Sequence, residues 1–351
     1  MKRYWSKLAS SLTPYVPGEQ PRMTNLIKLN TNENPYPPSP AVKQAIQSAQ
    51  IDLLRLYPDP LSTELIKGIA MRHGVSEDSV FVGNGSDEVL AFCFMAFFDA
   101  EHPILFPDIT YSFYEVYASL CRIQSRLIPL TQDFRIDPDD YRRDSGGVVI
   151  ANPNAPTAIA LNLDEIRTIV KSCSRAAIID EAYVEFCNQS ALPLLDECDN
   201  IIVVRTLSKS HSLAGMRVGY AVAQPDLIAA LNCIKNSFNS YTLDRLAQAA
   251  ALAALQDEAY CQSQIQRVVH TRDVTIQELK RLGFSVLPSQ ANFVFMTHPD
   301  IHASELAQRL RQSSIIVRHF AKPRIDDYLR VTIGTQEQMQ ALIDTLGAIL
   351  Q

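Results

Sequence analysis

Residues 201–223, IIVVRTLSKSHSLAGMRVGYAVA, hold a lysine placed for covalent chemistry. An apolar run leads into a polar turn with Ser208 and Lys209, and a second apolar run follows Arg217. Short apolar runs bounded by turn residues read as buried strands. Lys209 then falls just past a strand end. There its amine can be drawn out of water, lose its proton and attack a carbonyl. An exposed loop lysine is the plain alternative, because lysine is seldom buried. Two more polar residues hold equivalent places: Asn154 after the apolar residues 148–151, and Asp180 after 176–179. In a parallel sheet, ligands bind beyond the carboxyl ends of the strands, so an amine, a carboxylate and an amide would share one rim.

A second kind of chemistry is written at 80–88, VFVGNGSDE. Strand, glycine turn and helix start follow one another, and Ser86 or Asp87 suits an N-cap. Unpaired amides of a first helical turn, with the helix dipole, bind phosphate. The competing dinucleotide motif GxGxxG needs glycine where Glu88 stands.

The elements that must position these groups alternate. Strands are expected at 103–106, 123–129, 148–151, 176–179 and 201–204. Helices are expected at 39–50, at 62–73 with Gly74 closing it, from the tyrosine-rich 111–117, and at 164–173. Alternating βα units imply a mainly parallel sheet covered by helices. Residues 244–282 read as one long helix bridging to a second unit. That unit has strands at 284–287, 292–296, 315–318 and 329–333, and helices at 303–312 and from Gln336. Before all of this, seven prolines from Pro14 to Pro40 rule out a continuous helix or central strand and make residues 1–40 an extended arm. The arm carries Trp5, Tyr15, Val16 and Tyr36, so it is expected to lie on something.

Composition bounds the function. The 351 residues are 47% hydrophobic with a net charge of −6 and no basic block, which argues against nucleic acid and anionic membranes as partners. The longest apolar run, 89–98, is too short to span a bilayer and reads as a buried helix. Seven cysteines with no CxxC spacing read as reduced core residues of a cytoplasmic protein. No HExxH pattern occurs, and no metal is expected.

Taken together, Asn154 in PNAPT, Asp180 in DEAY, Lys209 in TLSKSHSLAGMRVGY and Arg330 in LRVTIG resemble the fold-type I, pyridoxal-phosphate-dependent aminotransferases. LTPYVPGEQ, KLNTNENPYPPSP, LYPDP, GNGSDEVL and RHFAKPRIDDYLRVTIGT are similar to the histidinol-phosphate aminotransferase group of class II, over nearly the whole chain. The resemblance implies an α/β fold: a large domain (41–245) with a mainly parallel seven-stranded sheet between helices, a smaller α/β domain (246–351), and an arm (1–40) belonging partly to the small domain. It implies transamination between L-histidinol phosphate and 2-oxoglutarate in histidine biosynthesis. An aromatic-amino-acid aminotransferase, a threonine-phosphate decarboxylase and a non-catalytic cofactor-binding regulator remain as alternatives.

The resemblance also implies roles. Lys209 would carry pyridoxal phosphate and move the substrate proton, and Asp180 would pair with the pyridine nitrogen. Asn154 and Tyr183 would bind the ring's phenolic oxygen, and Tyr111 would stack on the ring. The phosphate would lie on the Ser86 and Asp87 amides, Ser208 and Arg217, with Tyr57 reaching it from the other subunit of a homodimer. Arg330, Arg318 and Tyr15 would take the anionic end of the substrate. The turn departs from the family's NNPTG: Ala155 lacks a polar side chain, and Ala158 stands where glycine permits a positive φ. A modest local change is expected, with Asn154 keeping the functional amide.

Overall fold

A computed structural model describes residues 3–21, 25–187 and 189–351. The parts of the expected arm at 1–2 and 22–24 lie outside the described residues. Seven strands form the main sheet, in the order Val80–Asn84, Val218–Ala223, Ile201–Thr206, Ala177–Asp180, Val148–Ala151, Ile104–Pro107, Ser125–Ile128. All are parallel except Val218–Ala223, which runs antiparallel to both its neighbours. The reason is chain length. A parallel neighbour needs a crossover of a dozen or more residues, usually a helix. The connection after Thr206 is shorter than that and holds only a short 3₁₀ turn at Ala214–Met216, so the chain doubles back.

Apart from the exposed edge strand Ser125–Ile128, the strands are largely apolar on both faces, and alternation divides them between two cores. Ile201, Val203, Ile179 and Val222 face one cluster. Ile202, Val204, Ile178 and Ala221 face the other, which helix Gly85–Phe97, apolar from Val89 onward, closes. Both faces are buried, as a parallel sheet requires. Helix Thr63–His73 ends at Gly74, whose φ of +66° is the left-handed cap that glycine accepts without strain. Helix Leu163–Ser172 starts with a capping box between Asn162 and Glu165.

Three expectations change. The long helix is two: Arg245–Gln256 and Glu258–Arg281 part at Asp257, whose carboxylate accepts from Ser39. Ala247, Ala250, Ala251 and Ala254 of the first belong to the main core with Leu65 and Ile69, whereas Cys261, Ile265 and Val268 of the second join a separate core. The strand expected at 315–318 splits. Ile315–Ile316 pairs with Ile27–Lys28 of the arm, and Arg318–His319 pairs with Leu329–Thr332 in a four-stranded antiparallel sheet that includes Phe293–Thr297 and Ser285–Val286. The arm contains a short helix, Lys7–Ser11, before its extended part.

His298 and His302 stand four apart, but Pro299 lies between them. His298 faces the Leu282 carbonyl, and His302 caps helix Ala303–Gln312. Among the described residues no helix is long and apolar enough to cross a membrane.

Candidate active site

A cavity of about 330 Å³ opens at the carboxyl ends of the main-sheet strands, between them and the small antiparallel sheet. Lys209, Asp180, Ser208, Ser86, Asp87, Tyr111, Tyr183, Arg217, Tyr15, Arg318 and Arg330 all line it. Residues as far apart in the chain as Tyr15 and Arg330 therefore converge, because the ends of the main-sheet strands, the small sheet and the arm meet there.

Lys209 follows the strand Ile201–Thr206. Its Nζ donates to the Thr31 carbonyl at 3.3 Å and lies 5.9 Å from the centre of the Tyr183 ring. Its own carbonyl accepts from Asn34 Nδ2 at 3.0 Å, so the arm fixes the lysine loop from the other side. Burial, helped by the Arg330 guanidinium, brings the amine from 10.5 down to about 8. The fraction of the amine without its proton near neutral pH is thereby increased, and a free amine is a nucleophile and a base.

Asp180 ends its strand fully inside the protein. Its Oδ2 accepts from the Tyr114 hydroxyl at 2.8 Å and its Oδ1 from the Ala182 amide at 3.2 Å. Burial pushes its carboxyl from 3.8 up to about 6 despite those hydrogen bonds. A buried carboxylate this poorly compensated favours a cation beside it. Glu181, the next residue, points away from the cavity. It takes Arg205, Ser190 and the Ala191 amide, which pins the following loop.

The phosphate-binding expectation meets a built cradle. Helix Gly85–Phe97 starts at Gly85, two residues earlier than a cap at Ser86 would place it, so Ser86 and Asp87 lie in its first turn and do not cap it. Asn84 makes no side-chain cap either. A Cβ on Gly219 would collide with the Ser86 amide nitrogen, and one on Gly85, at φ +77°, would collide with the Arg217 guanidinium. The two glycines thus let the helix amides and Arg217 close on one spot. Arg217 Nη2 donates to Asp87 Oδ2 at 2.8 Å, and the Tyr111 hydroxyl to Asp87 Oδ1 at 2.8 Å. Ser208 is buried beside Thr206, which donates to its Oγ at 2.9 Å.

At the other end of the cavity Arg318 and Arg330 are direct partners on neighbouring antiparallel strands. Like charges directly opposite are destabilising unless an anion lies between them. Arg330 donates to the Asn30 carbonyl at 2.8 Å, and its buried Nε has no partner among the described residues. Arg318 reaches the Val16 carbonyl at 3.4 Å, and Tyr15 stacks on Phe113 at 4.3 Å, so the arm covers this end.

Two expected residues are elsewhere. Asn154 is 2% exposed and does not line the cavity. Its Oδ1 accepts from Thr110 Oγ1 at 2.7 Å, and its Nδ2 donates to the Ile109 carbonyl and Thr157 Oγ1 at 2.9 and 3.0 Å. With its donors and acceptor engaged, the amide holds the turn from behind, and Ala155 forms the wall. The turn keeps the left-handed residue that glycine normally supplies: Ala158 has φ +65°. Tyr57 is 77% exposed and stacks on Tyr241 at 4.5 Å, away from the cavity.

Sequence reasoning missed Tyr114, Thr31, Asn32 and Asn34 as site residues. The asparagine-rich stretch 30–34 before Pro35 was the available signal for the last three.

The class I and II aminotransferase model matches residues 24–346. A histidinol-phosphate aminotransferase of Acinetobacter baylyi is 56% identical over 98% of this chain and 96% of its own. One of Gluconacetobacter diazotrophicus is 55% identical over 100% and 99%. Among solved structures, the histidinol-phosphate aminotransferase of Sinorhizobium meliloti in complex with pyridoxal-5'-phosphate superposes with a TM-score of 0.89 at 24% identity, covering 99% of this chain and 97% of its own. A lysine that sheds its proton near pH 8, a buried carboxylate and an anion cradle on the rim of the main sheet face the paired arginines of the small sheet across one cavity, and the chain that builds them belongs to the class I and II aminotransferases.

Proposed function

We propose that the protein transfers an amino group between L-histidinol phosphate and 2-oxoglutarate, giving imidazole-acetol phosphate and glutamate, with pyridoxal phosphate as cofactor, in histidine biosynthesis. The observation that carries this reading is the near-neutral amine of Lys209 in a cavity with Asp180 on its wall and the Arg318–Arg330 pair at its far end. When bound, pyridoxal phosphate supplies an electron sink for a carbanion. The rest is done by the chain. Asp180 would keep a ring nitrogen positively charged, Tyr111 would cover the ring, and Tyr183 would donate to the ring oxygen. The Ser86 and Asp87 amides, Ser208 and Arg217 would hold the phosphate, for which Arg217 would give up its present bond to Asp87. Lys209 Nζ takes the proton from the substrate Cα. Arg318 and Arg330 hold the phosphate of one substrate and the carboxylate of the other, and Tyr15 on the arm closes over them.

The working enzyme in this reading is a homodimer, with Tyr57 lending its hydroxyl to the partner's phosphate site. Around Tyr57 an apolar patch of Ile51, Leu54, Leu56, Leu61, Phe238 and Tyr241 is exposed. A second copy of the chain is its occupant. Mixing Tyr57→Phe with Lys209→Ala subunits should regenerate some complete sites, and activity no higher than that of either variant would contradict the arrangement. We divide the chain into the arm, a large domain and a small domain. The resemblance puts the boundary between the two domains at 245/246; the packing of Arg245–Gln256 with the main core supports moving it to Asp257. All seven cysteines are free thiols, which supports a reducing, cytoplasmic setting. A substrate panel tests the specificity: histidinol phosphate should exceed phenylalanine and tyrosine as amino donor, and release of CO₂ from O-phosphothreonine would support a decarboxylase instead.

A further inference from the structure

The Tyr183 hydroxyl on the cavity wall accepts a hydrogen bond from Asn32 Nδ2 at 2.9 Å. An amide NH₂ only donates, and a phenol has one proton to give. The Tyr183 proton is therefore not spent on Asn32. The orientation of the Asn32 amide follows from its other end. Thr332 Oγ1 accepts from the Asn32 backbone amide at 2.9 Å and donates to Asn32 Oδ1 at 3.1 Å. A flipped amide would put a donor against Thr332 and strand its hydroxyl proton. Asn292 Nδ2 donates to the Asn32 carbonyl at 3.1 Å. Asn32 is 1% exposed with φ +54°, a left-handed conformation that asparagine tolerates better than most residues.

Its neighbours touch the other reactive groups: the Asn30 carbonyl takes Arg330, and the Thr31 carbonyl takes Lys209. Thr332 is two residues from Arg330 on one strand. Residues 30–32 thus connect the substrate arginine, the lysine and the tyrosine. On the wall beside Tyr183, Ala155 offers no polar side chain and Asn154 is turned away, so on that side the tyrosine has no amide to share its task.

We propose that Asn32 is a positioning residue that, fixed by Thr332, holds the Tyr183 hydroxyl as a donor aimed into the cavity at the ring oxygen of the cofactor. This rests on the pyridoxal-phosphate reading above.

The test is the pH titration of the absorbance of the cofactor-loaded protein. Asn32→Asp is nearly isosteric and replaces the donor by an acceptor, which recaptures the tyrosine proton. An unsolvated ring oxyanion then holds a proton on the cofactor–lysine nitrogen more tightly, and the midpoint should rise by about one pH unit. Tyr183→Phe should raise it similarly. The new carboxylate also acts by charge alone, and that part persists with Tyr183→Phe, so the double variant should shift by clearly less than the sum of the two. Thr332→Val, which removes the hydroxyl that fixes the amide, should give a smaller rise that vanishes with Tyr183→Phe. It carries the test by itself should Asn32→Asp not fold. Additive shifts, or a cofactor band whose midpoint stays put in Asn32→Asp or Thr332→Val, overturn this inference alone. A wild-type protein that takes up no cofactor overturns it together with the reading it rests on.

Discussion

Replacing the reactive amine should make the cofactor-free protein more stable. Lys209 Nζ is surrounded by protein, with the Arg330 guanidinium among its neighbours, and its pKa falls from 10.5 to about 8. A base whose folded pKa is depressed burdens the fold while it is protonated. The burden is complete below pH 8, shrinks as pH rises from 8 to 10.5, and is gone above that. At about 1.4 kcal/mol per pH unit the gap corresponds to roughly 3 kcal/mol at neutral pH. Water in the cavity and the Thr31 carbonyl offset part of it, leaving a net gain of about 2 kcal/mol for Lys209→Met. Equilibrium urea unfolding of the cofactor-free proteins, at one protein concentration, measures this near pH 7 and again near pH 9.5. The gain should fall to less than half at the higher pH, where the folded lysine is already neutral. A variant less stable than wild type at pH 7, or a difference independent of pH, would refute the reasoning.

Other expectations concern the cofactor cradle and the substrate end. Gly219→Ala sets a methyl against the Ser86 backbone, which cannot swing aside as a side chain would. Stability should fall by about 2 kcal/mol and cofactor affinity by at least about tenfold, read by thermal unfolding and cofactor titration. Arg330→Lys keeps the charge but loses the planar fork. KM for the anionic substrates should rise roughly 10- to 100-fold with kcat less affected, and an unchanged KM would remove Arg330 from substrate binding. Asp180 is an acid with a raised folded pKa, from 3.8 to about 6, so its ionisation burdens the fold increasingly as pH rises across that window. Cofactor-free Asp180→Asn should therefore gain stability over wild type between about pH 5 and 7.5, yet bind cofactor more weakly. A loss of stability at pH 7.5 would contradict this.

Most of the frame was legible because its signals are local. Apolar runs of four to six residues ending in Asp180 or in the Lys209 turn could only be buried strands, and the structure puts both residues at the cavity. The seven-stranded sheet and its predominantly parallel sense agree with the resemblance. What was illegible depends on one-residue geometry or on tertiary partners. Neighbours in a tight turn point in opposite directions, so the sequence could not tell whether Asn154 or Ala155 would meet the ligand. The break at Asp257 comes from a pairing with Ser39, far away in the chain. The division of residues 315–318 reflects competition between the arm and Leu329–Thr332 for the same segment. Tyr114 looked like any core aromatic until its hydroxyl was seen on Asp180.

The most direct measurement of the central claim is a single half-reaction. Cofactor-loaded protein is mixed with L-histidinol phosphate, with no keto acid present, and its absorbance is followed. The lysine-bound cofactor band should convert to that of the amine form within one turnover, with imidazole-acetol phosphate released in equal amount. No such conversion should occur in Lys209→Ala. A band that histidinol phosphate leaves unchanged, or a Lys209→Ala protein that converts it at the wild-type rate, would contradict the claim.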